Sequence, residues 1–194
     1  MKIPSFIYQY LINPRTVGAL LPSSKYLSEK MLEEIDFEKA DYIVEYGPGT
    51  GVFTRKILKR RKQKTIVVLI ENNKKFYKLL KERFIQEKNL IIIHGSAEKI
   101  GKFVNHYQIP YVDYVISGLP FASLPQKVST NILANTEKVL KEDGLFVTFQ
   151  YTKIKISFLK HFFPNINIKK EIRNIPPAYV FNCMKSKGDG RFKN

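Results

Sequence analysis

Glu45-Tyr46-Gly47-Pro48-Gly49-Thr50-Gly51 decides the fold. The run Asp41-Tyr42-Ile43-Val44-Glu45 reads as a short buried strand ending in this glycine turn, and Val52 to Arg61 reads as a helix. Glycines between a strand and a helix let main chain approach a ligand closely. The spacing is not the dinucleotide pattern G-x-G-x-x-G, because Val52 and Thr54 interrupt it. Pro48 has no N–H to give a phosphate-cradling nest. No Gly-Lys-Ser/Thr follows, which excludes a P-loop.

Outward from this turn the pattern alternates. Thr65 to Glu71 reads as a second buried strand, and Asn73 to Gln86 as a helix with Phe76, Leu79, Leu80 and Phe84 on one face. Leu90 to His94 is a third strand and Glu98 to Tyr107 a helix. Asp113 to Ser117 is a fourth strand, and Gln126 to Leu140 a helix closed by Glu142-Asp143-Gly144. Leu145 to Tyr151 is a fifth strand, and Ile156 to Phe163 a helix stopped by Pro164. Ile166 to Ile175 and Tyr179 to Met184 are the last two strands, with a connection so short that one should run antiparallel. This order predicts an α/β fold with a mostly parallel sheet and helices on both faces. Residues 1–40 stand outside the repeat as a helical extension, 41–185 form the domain, and the basic tail 186–194 is expected to fray.

Lysine and arginine total 33 against 17 acids in 194 residues, a formal net charge of +16. That surplus predicts attraction to nucleic acid or to an anionic membrane surface, and charge alone does not choose. A lysine-rich proteome would give the same surplus. Cys183 is the single cysteine, and His94, His106 and His161 show no ligand spacing, so no disulfide and no metal site is expected. No apolar run is long enough to span a bilayer, and Pro4 and Asn13-Pro14 break up any signal peptide. The expected place is the cytoplasm.

Glu71 ends the second strand 20 residues after Gly51, where an acid can accept bonds from two ribose hydroxyls. The glycine turn resembles the first motif of class I S-adenosylmethionine-dependent methyltransferases. The resemblance implies a Rossmann-like, seven-stranded fold and S-adenosylmethionine as cofactor. It implies that Gly47, Gly49 and Gly51 line the methionine part and that Glu71 holds the ribose, with Glu45, Thr50 and Asn72 also at the cofactor. Gly95-Ser96-Ala97-Glu98 sits where the family contacts adenine. Related enzymes commonly have Asp where Ser96 stands, so Glu98 or a backbone group is expected to take over, with Ala97 and Glu98 at the cofactor.

The loop after the fourth strand is Ser117-Gly118-Leu119-Pro120-Phe121. It resembles the Asn-Leu-Pro-Phe loop of ribosomal-RNA adenine dimethyltransferases but lacks the Asn carboxamide. Ser117 is a shorter acceptor. With Ala-Ser-Leu-Pro after it, the loop also resembles that of small bacterial phospholipid N-methyltransferases. So do Pro14 to Ser24, Phe149-Gln150-Tyr151 and Asn174-Ile175-Pro176-Pro177-Ala178-Tyr179-Val180. This resemblance implies methylation of the amine of an aminophospholipid such as phosphatidylethanolamine, peripherally on the inner face of the membrane. Ser117, Tyr151 and Tyr179 are the catalytic candidates. Ser117, Gly118 and Leu119 also border the cofactor; Tyr26, Pro120 and Phe121 are expected at the substrate, and the 1–40 extension with Tyr26 is read as a cofactor lid or a membrane contact.

The aromatic-rich segment from Ile3 to Ile12 reads either as a helix in the headgroup layer or as a cap on the core. The basic stretches Lys56, Lys59, Arg60, Arg61 and Lys74, Lys75, Lys78 are solvated faces or further membrane contacts. RNA adenine methylation ranks second, because the RNA enzymes carry a helical domain after the catalytic fold and only a short basic tail is expected here. A non-catalytic protein that binds S-adenosylmethionine is the third reading.

Overall fold

The computed structural model describes residues 24–153 and 155–185. The aromatic segment, most of the 14–24 motif and the basic tail lie outside the described residues.

Runs rich in Ile and Val form the strands: β1 (Tyr42–Tyr46), β2 (Ile66–Glu71), β3 (Leu90–His94), β4 (Val112–Ser117), β5 (Leu140–Gln150), β6 (Asn165–Glu171) and β7 (Ala178–Met184). Branched side chains suit a pleated sheet covered on both faces. One seven-stranded sheet results, in the order β3-β2-β1-β4-β5-β7-β6. Pairing is parallel from β3 to β5, and β7 runs antiparallel to both β5 and β6.

The helices are α1 (Ser24–Met31), α2 (Val52–Arg60), α3 (Lys74–Arg83), α4 (Ile100–His106), α5 (Gln126–Val139) and α6 (Ile156–Lys160), with a 3-10 turn at Ala97–Lys99. Leu27, Met31, Ile57 and Leu80 from α1, α2 and α3 cover the sheet face bearing Ile43, Leu69, Ile116 and Val180. Val104, Leu133 and Leu159 from α4, α5 and α6 cover the face bearing Val44, Ile70, Val115 and Phe181. Asn73 caps α3 by accepting the Lys75 and Phe76 N–H groups. Asp113 fixes the start of β1 by accepting the Asp41 and Tyr42 N–H groups at 2.8 and 2.9 Å.

Several boundaries differ from the sequence reading, two of them by four residues or more. Leu140 already pairs with Val112, so the strand begins where the helix was expected to end; residues 141–144 bulge out before Tyr114 meets Leu145. β6 stops at Glu171 rather than Ile175, because the chain turns there to enter β7. Among the described residues no helix is long and apolar enough to cross a membrane.

Candidate functional site

The glycine turn springs from the middle of the sheet. The Gly47 N–H donates to the Ile70 carbonyl at 3.0 Å, and the Gly51 N–H to the Pro48 carbonyl at 2.8 Å. Gly47, Gly49 and Gly51 have φ of 61°, 56° and 78°, the left-handed region that glycine tolerates best. A Cβ at Gly51 would stand 2.8 Å from the Phe84 ring, and one at Gly47 would stand 2.9 Å from Leu119 Cδ2. A Cβ at Gly49 would meet nothing within 4 Å. The turn is thus packed on two sides and open at Gly49. Arg83 holds the Thr50 carbonyl.

Two carboxyl groups stand beneath it. Glu71 Oε2 accepts the Gly49 N–H at 3.0 Å and Oε1 the Asn73 N–H at 2.7 Å. Glu45 is fully buried; its Oε2 accepts the Thr54 hydroxyl at 2.6 Å, while Oε1 has no partner. Burial pushes the Glu45 carboxyl up to about 8; the Thr54 bond opposes the rise and the Glu71 charge adds to it. A buried carboxyl oxygen without a partner and an open glycine fit a polar ligand that meets both. Asn72 is exposed, its carbonyl 3.2 Å from His94 Nε2.

The segment after β3 is tied inward. The Ser96 hydroxyl donates to Glu98 Oε2 at 3.1 Å, and Asn131 Nδ2 donates to Glu98 Oε1 at 2.9 Å. Asn135 Nδ2 donates to the Glu98 carbonyl at 2.8 Å. Glu98, expected at the adenine, therefore also locks the 3-10 turn to α5. Ala97 is buried beside it.

The loop after β4 lies against the glycine turn. The Gly118 N–H donates to the Tyr46 carbonyl at 2.9 Å, and a Cβ at Gly118 would stand 3.0 Å from the Gly47 carbonyl oxygen. Ser117 is buried, and its hydroxyl oxygen accepts the Leu119 N–H at 3.2 Å. Pro120 is half-buried and its carbonyl closes the next turn at Ser123. Phe121 requires a correction. It was expected to meet substrate, yet it is fully buried, its ring edge-on to Phe146 at 6.0 Å, in the core of the α4–α6 face.

Gln150, not a predicted site residue, organises this loop. Its Nε2 donates to the Leu119 carbonyl and its Oε1 accepts the Ala122 N–H, both at 3.2 Å. Tyr179 lies opposite Gln150 in the ladder, with Lys153 Nζ 5.0 Å from its ring centre. Tyr151 packs with Phe149 against the core of the other face, so the sheet separates the two tyrosines proposed to share a role. Tyr26 is 42% exposed and lies under the Arg173 guanidinium at 4.3 Å. It braces the β6–β7 turn. The signal for Gln150 was a polar residue at the end of a buried strand; the signal for Thr54 was a hydroxyl in the first turn after Gly51.

The sheet order and the paired carboxyls beneath a glycine turn define a class I methyltransferase, an enzyme that takes its methyl group from S-adenosylmethionine. A family model described as ribosomal RNA adenine dimethylase matches residues 9–175, and the chain belongs to that family. It is 29% identical to an ornithine lipid N-methyltransferase of Singulisphaera acidiphila over 92% of this chain and 93% of that one. It is 40% identical to ribosomal RNA small subunit methyltransferase A of Persephonella marina over 61% of this chain, and spans only 41% of that enzyme's length. The N-methyltransferase NodS of Bradyrhizobium japonicum, solved with S-adenosylhomocysteine, shares the fold at a TM-score of 0.70, with 11% identity over 94% of this chain and 98% of that one.

Proposed function

We propose that the chain N-methylates the amine headgroup of a membrane lipid, phosphatidylethanolamine or another aminolipid such as an ornithine lipid, at the cytoplasmic membrane face. The observation that carries this reading is Gly118. In the adenine dimethyltransferase loop that Leu119-Pro120-Phe121 resembles, an Asn precedes the Leu. Here that place is Gly118, and the Gly47 carbonyl leaves little room for a side chain.

The chemistry follows from that loss. The amino group of adenine is conjugated and a poor nucleophile, so it needs acceptors placed to draw electron density onto it. An aliphatic amine carries its lone pair once deprotonated. In water such an amine has a pKa of about 10.4, and a dry site lowers it. A loop without the carboxamide suits the second acceptor. Tyr179 and the backbone carbonyls of the 118–122 loop are the groups proposed to meet that nitrogen. The likeness to the ornithine lipid enzyme over nearly the whole of both chains supports the reading.

When bound, S-adenosylmethionine supplies an electrophilic methyl group on sulfur. Glu71 is proposed to hold the ribose hydroxyls, Glu45 Oε1 the amino group, and the open face at Gly49 the chain between them. The protein aligns and dries the site rather than donating a proton, since the departing thioether is neutral.

The family model favours a second reading, N6-methylation of adenine in ribosomal RNA. Labelled methyl transfer tests both. Label is expected in vesicles containing phosphatidylethanolamine or ornithine lipid, and not in ribosomal RNA. Transfer to RNA with none to any aminolipid vesicle rejects the lipid reading.

A further inference from the structure

The turn between β6 and β7, residues 172–177, presents two isoleucines to water. Ile172 is 68% exposed and Ile175 71%. The backbone around them is held firmly. The Arg173 N–H donates to Glu171 Oε1 at 2.9 Å, and the Arg173 guanidinium bonds both Glu171 oxygens at 2.9 Å. Asn174 is buried, and its Nδ2 donates to the Pro176 carbonyl at 2.6 Å. Tyr26 supports the guanidinium from below. These bonds form whether or not the isoleucines are covered, so their exposure is built into the turn. Glycine, asparagine and serine are the usual occupants of such a place.

The turn also stands on the rim of the site. Ala178 pairs with Glu171, Tyr179 with Gln150, and Gln150 holds the 118–122 loop. Cations flank it. Lys170 is exposed and lies across the ladder from Tyr179, and Lys153 sits over the Tyr179 ring. Among the described residues neither lysine forms an ion pair.

We infer that the 172–177 turn seats the enzyme on an anionic bilayer, with Ile172 and Ile175 entering the headgroup boundary and Lys153 and Lys170 meeting its phosphates. The inference rests on the lipid-amine reading and adds the surface through which the lipid is reached. The net charge of +16 supplies long-range attraction, and the isoleucines supply short-range hold. So seated, the acceptor loop lies close to the plane of the headgroups, and an amine need not leave the bilayer. RNA suits this rim less well. Its phosphates would take the lysines, but its recognition relies on stacking and hydrogen bonds, which aliphatic side chains do not provide.

The test is sedimentation of the full chain with vesicles of phosphatidylethanolamine and phosphatidylglycerol. Combining Ile172→Ser with Ile175→Ser is expected to weaken partitioning by about tenfold or more, since apolar burial drives interfacial binding. Methyl transfer to water-soluble dihexanoyl phosphatidylethanolamine should stay within about twofold of wild type, as exposed substitutions seldom disturb a fold. Ile85→Ser removes an isoleucine that is 81% exposed elsewhere and should leave partitioning unchanged. Wild-type binding by the double variant, an equal loss in Ile85→Ser, or no vesicle binding by the wild type overturns the inference. Methylation of the soluble lipid alongside any of those results leaves the lipid-amine reading standing. Methylation of no aminolipid at all rejects that reading itself.

Discussion

Gly49 is tethered to Glu71: the glycine N–H donates to the carboxylate Oε2 at 3.0 Å. Through its other oxygen the same carboxylate holds the Asn73 N–H, so it joins the glycine turn to the cap of α3. Glu71→Ala removes both anchors and the proposed ribose acceptors. Hydrogen bonds to a charged group are worth about 1.5–3 kcal/mol, so the dissociation constant for S-adenosylmethionine should rise by about 10- to 100-fold. Titration calorimetry checks this, and an affinity unchanged by the substitution removes Glu71 from the cofactor site.

Gly49 and Gly51 should fail in different ways. Gly51→Ala drives a Cβ to 2.8 Å from Phe84 while holding a φ of 78°. The left-handed backbone alone costs about 1–2 kcal/mol, or about 2–8 °C of melting temperature at this size, and the clash adds to it. Gly49→Arg meets similar backbone strain but no neighbour within 4 Å at Cβ, so its long side chain occupies the open face. It should abolish cofactor binding with a smaller thermal loss than Gly51→Ala. Unimpaired binding by Gly49→Arg would show that the cofactor lies elsewhere.

Glu45 predicts a pH dependence. Its carboxyl ionises near 4.5 in the unfolded chain and at about 8 in the fold. The raised value favours the protonated form, so its contribution to stability is complete below pH 4.5 and is lost as pH rises through about 8. Glu45→Gln cannot ionise. Its stability relative to wild type should therefore improve steadily across that interval in urea denaturation of the cofactor-free protein. A difference that does not change with pH contradicts the assignment.

Gln150 should matter to turnover without mattering to cofactor affinity. Gln150→Ala frees the Leu119 carbonyl and the Ala122 N–H, two loop groups that a buried side chain now fixes. Unmet buried partners cost about 1–3 kcal/mol, so methyl transfer should slow by about tenfold or more while binding of S-adenosylmethionine is kept. Steady-state kinetics beside equilibrium dialysis separates the two effects. Gln150→Glu keeps the acceptor for Ala122 and loses the donor to Leu119, and should fall between Ala and wild type.

The glycine turn and the alternation around it were legible because each depends on neighbours in sequence. Glycines at 47, 49 and 51 announce their backbone, and Ile66 to Ile70 announce a strand covered on both faces. What escaped the sequence depends on partners far along the chain. Gln150 acts on residues 119 and 122, which only the pairing of β4 with β5 brings near. Phe121 looked available as an aromatic beside proline, but Phe146, a strand away, absorbs its ring. The Glu98 carboxylate looked free for a base until α5 brought Asn131 to it. Leu140 looked like the end of a helix because periodicity cannot show that Val112 waits to pair with it.

The reversed course of β7 divides labour within the scaffold. A parallel last strand would need a long crossover, whereas the observed hairpin returns in six residues, 172–177. That short connection joins the two strands at the edge of the sheet, apart from β1 and β2 in the strand order. If the proposed lipid rim and the proposed cofactor site at the glycine turn both hold, acceptor preference can be altered by rewriting a few positions there without touching the turn between β1 and β2.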